Sequence, residues 1–215
     1  AALALSARRA AWGESLVTRI SAELRELGLG KARLAVGLER RRREGSPLEI
    51  EGGGIDFGPS GIDQVVFLFT PNQGEEPRPL ARIASGGELS RIYLALQLAA
   101  RGERGTETAA TLVFDEVDAG IGGAEAAALG RKLQRLARGG QILAVTHLPQ
   151  VASYADLHLK VGKRVQGGRT HVAVEPLSRE ARVTEVARML AGQEVTALSL
   201  SHAEELIAGA ARGRR

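Results

Sequence analysis

Apolar residues recur at Leu16, Ile20, Leu24 and Leu27, with Val17 beside them, while Arg19, Glu23, Arg25 and Glu26 fall on the other side. Steps of four, four and three belong to an amphipathic helix. The pattern predicts one over residues 3–27, stopped by Gly28 and Gly30. Such a helix is about 36 Å long, which suits a stalk or the base of a coiled coil. A helix laid on the surface of a domain would carry the same pattern, and too few heptads are present to define a supercoil. Alternation of period two follows at Leu34, Val36 and Leu38 and again at Leu48 and Ile50, and a continuous apolar run covers 65–69. These read as strands. The stretch 70–79, with three prolines and a glycine, reads as loop.

Past residue 80 the pattern changes to helices alternating with short apolar strands. Helices are predicted over 89–99 and 124–137, and buried strands over 111–114 and 141–146. Short continuous apolar strands separated by helices point to a parallel sheet. A hairpin is predicted from 157–165 and 170–174 around Gly167 and Gly168. Two helices follow, over 179–190 with Ser178 as N-cap and Gly192 beyond its end, and over 197–208. The tail from Gly209 is expected to fray.

Composition narrows this picture. A chain of 215 residues, 44% hydrophobic, can bury one sizeable α/β core and carry an appendage. The cysteine count of zero excludes disulfides, thiolate chemistry and Cys-based metal sites, and an intracellular setting is natural. No apolar run approaches the roughly 20 residues that cross a bilayer, so a soluble protein with no membrane partner is expected. Net charge is +4, with an unbroken run Arg40, Arg41, Arg42 and Arg43 and further arginines at 212, 214 and 215. A basic surface suits a polyanion such as DNA; the competing reading is a solvated, arginine-rich loop. With 3% aromatics, stacking on unpaired bases is not the expected mode. DNA would be held through phosphates, with strong salt dependence.

Three segments carry candidate chemistry: ASGGELSR at 84–91, TLVFDEVDAGIGG at 111–123 and ILAVTH at 142–147. The second is an apolar strand ending in two carboxylates. Adjacent side chains at a strand end diverge, so Asp115 can serve a Mg²⁺ ion, which prefers oxygen ligands. Glu116 can then take the proton of a water attacking a γ-phosphate. In the first segment, Ser85, Gly86, Gly87 and Glu88 precede a helix. Two glycines admit an anion close to the backbone, and the helix N-terminus favours negative charge. A phosphate loop of the type Gly-x-x-x-x-Gly-Lys-[Ser/Thr] is absent from the 215 residues. Together with an opening residue Ala1 instead of Met, this leads us to expect a fragment.

The SGGE segment resembles the signature motif of ABC-type ATPases in their SMC-like branch, and Arg91 fits that branch. Asp118 matches the D-loop that crosses between two nucleotide sites, and His147 the switch histidine that contacts the γ-phosphate. The stretches 67–91, 114–123 and 145–152, with 188–192 and 202–206, resemble the RecN family of bacterial DNA repair ATPases. The resemblance is dense from about residue 60 and loose before it. It implies the C-terminal lobe of an ABC/SMC-type ATPase head, α/β with a mostly parallel sheet flanked by helices, plus an N-terminal helix from the base of a coiled-coil arm. The implied parts are an arm end at 1–30, the lobe at 31–208 and a basic tail at 209–215.

The resemblance further implies ATP hydrolysis with Mg²⁺ between two heads, in double-strand break repair. Glu116 and His147 would be catalytic, Asp115 the metal ligand, and Ser85, Gly86, Gly87, Glu88 and Asp118 nucleotide contacts, the signature serving the opposing site. Arg40 to Arg43 are the candidate DNA contacts. Implied partners are the N-terminal lobe of the same protein, a second head and DNA, in the cytoplasm at the nucleoid, and this chain alone would be inactive. Two other readings compete: a basic interaction module with vestigial motifs, which the presence of Glu116 opposes, and a transporter nucleotide-binding domain. The latter would carry its phosphate loop and glutamine loop within the residues before Ser85, where neither occurs.

Overall fold

The computed structural model describes residues 1–82, 85–101, 111–166, 168–192 and 194–213. The chain forms two compact units, Ala1–Arg104 and Gly105–Arg215.

The first unit runs α1 (Ala2–Arg25), β1 (Arg33–Glu39), β2 (Glu49–Ile50), β3 (Gly53–Gly54), β4 (Gln64–Thr70), β5 (Arg78–Pro79), a 3-10 turn at Leu80–Arg82, and α2 (Gly86–Arg101). The apolar stripe of α1 is buried at Leu16, Ile20 and Leu24, and Leu27 beyond its end is fully buried. This face packs on β1 and α2. The helix therefore lies within the first unit.

β1 and β4 pair antiparallel from Arg33↔Thr70 to Glu39↔Gln64, and β5 joins the other edge of β4. The predicted loop 70–79 thus ends in a two-residue strand. Pro79 is tolerated there because an edge strand can do without one ladder donor.

The second unit runs β6 (Thr111–Phe114), α3 (Gly123–Ala137), β7 (Gln141–Ala144), α4 (Pro149–Ala152), β8 (Leu159–Gln166), β9 (Arg169–Pro176), α5 (Arg179–Ala191) and α6 (Ala197–Arg212). β6 and β7 are parallel, Thr111↔Gln141 through Phe114↔Ala144, with α3 as the crossover that parallel neighbours require. The expected α/β class and helix-flanked parallel pair are present. Among the described residues parallel pairing is confined to these two strands, and the other ladders are antiparallel.

The two parallel strands were expected to be buried, and they are buried only in part. Phe114 is sealed, and α3 packs against β7. The register places Val113, Leu143 and Val145 on one face, where they are 63%, 45% and 62% exposed. The apolar composition of the strands reflects two faces, of which the described residues cover one. The hairpin β8–β9 repeats the situation. Its register sets Val161 opposite Val174 and puts Val165 and Val172 on the same face, and all four are exposed.

α5 and α6 close the unit around Val186, Ala187 and Ala203, with Val183, Leu190 and Leu200 against them. Ser178 Oγ accepts the Ala181 N–H at 3.2 Å, and Gly192 ends α5 at φ 79°. A reciprocal Thr196–Ser199 capping box starts α6. The helix continues to Arg212 with Ala210 buried, so residues 209–212 are helical and not frayed. Packing of Ala210 holds the extra turn. The arginines at 214 and 215 lie outside the described residues. α4 escaped the sequence pattern because four residues are too few to show a period.

Candidate functional site

The candidate chemistry of the second unit gathers at the carboxyl ends of β6 and β7. Parallel strands side by side end at the same edge, the edge at which open α/β sheets bind ligands. Val145 N–H donates to Phe114 O at 2.9 Å and carries the pairing one residue beyond β7. Asp115 and Glu116 leave β6 directly beyond this bond, and both are exposed.

Glu116 adopts φ 54°, one of two non-glycine residues at positive φ among the described residues. A left-handed backbone costs a side-chain-bearing residue about 1–2 kcal/mol, and such strain clusters at functional positions. Two hydrogen bonds hold it. Asp115 Oδ1 accepts the Glu116 N–H at 2.9 Å, and Glu116 O accepts the Ala119 N–H at 3.0 Å. The turn 116–119 opens on the exposed Glu116 and carries Asp118, which is 3% exposed.

Asp118 is directed inward. Its Oδ2 accepts the Thr146 hydroxyl at 2.5 Å and the His147 N–H at 3.0 Å, and lies 3.2 Å from His147 Nδ1. Within this chain Asp118 knits the loop after β6 to the loop after β7. The reason is desolvation: a buried carboxylate needs donors, and the loop after β7 supplies them. Thr146, which the sequence reading passed over, is the principal one, and its Oγ1 also accepts the Leu148 N–H at 3.0 Å. The available signal was a hydroxyl residue directly before the histidine. His147 itself has a side chain 73% exposed, so its outer edge faces solvent.

Among the described residues no group of three or more His, Asp or Glu side chains could hold a metal ion. Asp115 and Glu116 are the exposed acids at this strand edge. Mg²⁺ bound to a nucleotide takes one or two carboxylates, with phosphate oxygens and waters completing its shell. A pair of exposed carboxylates fits that use, and a fully proteinaceous cage is not required.

The SGGE segment belongs to the first unit. The helix begins at Gly86, earlier than the expected 89, so both glycines lie in its first turn. Ser85 O accepts the Leu89 N–H at 3.1 Å, and Ser85 Oγ lies 3.4 Å from the Glu88 N–H it accepts. Ser85 is therefore an N-cap with Glu88 at the capping-box position, and this cap accounts for the early start. Ser85 and Gly86 are exposed, whereas Gly87 and Arg91 are buried.

The run Arg40 to Arg43 follows β1, and all four residues are exposed. It is not a free basic comb. Arg40 Nη2 donates to Ser6 Oγ at 3.4 Å, and its Nε lies 4.0 Å from Asp63, whose side chain is fully buried and also meets Arg9 at 3.1 Å. Arg41 Nε donates to Gln64 Oε1 at 3.0 Å, and Arg43 pairs with Asp56 at 3.2 Å. Arg42 forms a bridge with Ile55. The run is tied along the segment 55–64, and positive charge remains in excess of the two acids.

Similarity to known proteins can be set beside this geometry. No family model matches the chain. It is 44% identical over 206 residues to the DNA repair protein RecN of Streptomyces coelicolor, covering 96% of this chain and 35% of that protein. It is 40% identical over 202 residues to RecN of Bacillus subtilis, covering 93% and 34%. Against RecN of Deinococcus radiodurans identity is 43% over 206 residues, covering 96% and 33%. The chain spans about a third of the length of the curated relatives it matches, in their C-terminal portion. Among solved structures, an SMC head domain with a coiled coil and joint from Pyrococcus yayanosii is similar at TM-score 0.48 and 20% identity, covering 80% of this chain and 28% of that one.

Proposed function

On the footing that this chain corresponds to the C-terminal portion of RecN, we propose that it is the C-terminal half of an SMC-like ATPase head acting in DNA double-strand break repair. ATP would be bound and hydrolysed between two heads. The observation that carries the reading is the shared edge of β6 and β7, where exposed Asp115 and Glu116 stand beside the turn that holds His147.

In this reading Asp115 would hold Mg²⁺ directly or through water, and charge neutralisation at the phosphates is the chemistry the ion would supply when bound. Glu116 accepts the proton of the attacking water. The positive φ at Glu116 supports a functional position because, unlike Glu51 in the β2–β3 hairpin turn, it lies at the carboxyl end of a parallel strand. His147 contacts the γ-phosphate. The capped helix start at Ser85, Gly86 and Gly87, with Glu88, serves the nucleotide of the opposing head through exposed backbone donors and the helix N-terminus. Gly87 is itself buried.

Partners follow from uncovered surface. Parallel strands are ordinarily covered on both faces, and the open face with Val113, Leu143 and Val145 supports docking of the N-terminal lobe. The phosphate loop would come from that lobe, so this chain alone would not turn ATP over. Arg41 and Arg42, which meet Gln64 and Ile55 and no acidic side chain among the described residues, are the members of the run best suited to DNA phosphates.

The test is reconstitution. Adding the N-terminal lobe should create ATP hydrolysis, and Glu116→Gln should abolish turnover while nucleotide binding persists. Unchanged turnover in that variant would remove Glu116 from the role of base.

A further inference from the structure

We propose that Asp118 and Thr146 form a latch that fixes the orientation and tautomer of His147, making Asp118 a positioning residue within its own head. The inference rests on the proposed role of His147, but its first test does not.

A carboxylate is only an acceptor. Asp118 Oδ2 already receives the Thr146 hydroxyl and the His147 N–H, and the His147 ring presents Nδ1 to the same oxygen at 3.2 Å. A bare nitrogen lone pair at that distance from a buried carboxylate would be repelled, so the proton of a neutral ring belongs on Nδ1. Nε2 is then the unprotonated nitrogen, at the exposed end of a side chain that is 73% accessible. A second-layer acceptor that sets which nitrogen faces the reacting group is a general device for histidines. Thr146 completes it. By donating to Asp118 and accepting from Leu148 N–H at 3.0 Å, the hydroxyl locks the β7 loop to the carboxylate. Because Asp118 lies within the turn 116–119 that begins at Glu116, the same latch ties the position of the candidate base to that of the histidine. The main chain carries this link through Glu116 O and the Ala119 N–H at 3.0 Å.

The tautomer is read from ring-nitrogen correlations in ¹⁵N NMR of this chain above the imidazole titration range. A histidine free in water favours the Nε2–H form. Here the Nδ1–H form should predominate, because the carboxylate oxygen lies 3.2 Å from Nδ1 and disfavours a lone pair there. Asp118→Ala should return His147 to the Nε2–H form, while Asp118→Asn, whose amide oxygen can still accept, should preserve Nδ1–H. Thr146→Val should weaken protection of the Leu148 amide from hydrogen exchange and leave α5 unchanged. A predominantly Nε2–H tautomer in the unaltered chain overturns the proposal even if every variant fails to fold. In the reconstituted enzyme, His147→Ala with full turnover would overturn the γ-phosphate role instead and leave the tautomer result standing.

Discussion

Glu185 is where charge and packing meet most sharply in the second unit. Its side chain is 9% exposed and receives Arg188 Nη2 at 2.6 Å and Lys160 Nζ at 2.6 Å. The Arg188 guanidinium, with help from Lys160, holds the carboxyl down at about 2 from the usual 4.5, against a burial that pushes it up. At about 1.36 kcal/mol per pH unit, a displacement of this size corresponds to at most about 3 kcal/mol. Both cations are around half exposed, and solvent screening reduces the contribution to about 1–2 kcal/mol. A depressed carboxylate stabilises fully above the unfolded value and loses that contribution as pH falls through the folded one. The loss therefore runs from about pH 4.5 down to about 2.

Glu185→Gln tests this. Urea unfolding is followed at several pH values by the amide resonances of α5 and α6, which report on this unit alone. The variant should be less stable by about 1–2 kcal/mol at pH 7, and the gap should close near pH 2. His158 adds a separate slope at higher pH: burial, and then Arg182, lowers its pKa below 6.5, so stability falls as pH drops through that range. The Glu185 carboxylate opposes that lowering, so Glu185→Gln changes the His158 slope as well, and the Glu185 contribution is read from the change in the gap between about pH 4.5 and 2. A gap that stays constant between pH 7 and 2 would refute the assignment.

Two further outcomes are expected. A side chain at Gly130 on α3 would run into the Tyr154 ring; Gly130→Ala should destabilise the second unit by about 1–3 kcal/mol in the same urea assay, and a change within about 0.5 kcal/mol would contradict the packing. If Arg41 and Arg42 touch DNA phosphates, replacing both by Ala should lower the log–log salt slope of duplex binding by about 2. An unaltered slope would leave the run as a structural strap. Arg40 and Arg43 are poor choices for this test, because their loss would strip partners from Asp63 and Asp56.

Helices were the most legible elements. The 16–20–24–27 stripe of α1 and the Ser178 cap and Gly192 stop of α5 are local signals with local causes, and the structure places both helices within two residues of expectation. The short α4 and the edge strand β5 were not legible, since neither is long enough to show a period. The start of α2 was misplaced although its cap, Ser85 followed by Glu88, was in view: the two glycines were read as loop, and the cap outweighed their poor helix propensity. Of the candidate site, the order of the acids and the histidine was visible, because strand ends and adjacent carboxylates are properties of neighbouring residues. The inward turn of Asp118 was not, since its partner Thr146 is 28 positions away.

By itself the sequence determined the longer helices and strands, the absence of a phosphate loop from these 215 residues and the chemical identity of the residues at each strand end, because propensity, capping and alternation act over a few positions. Tertiary structure alone decided which faces stay bare and which charges are spent inside the fold. Val113, Leu143 and Val145 look like core in the chain and lie open in space, and Asp118 looks like a ligand group and lies buried under two donors from another loop. Burial is a sum over neighbours that only the folded chain brings together.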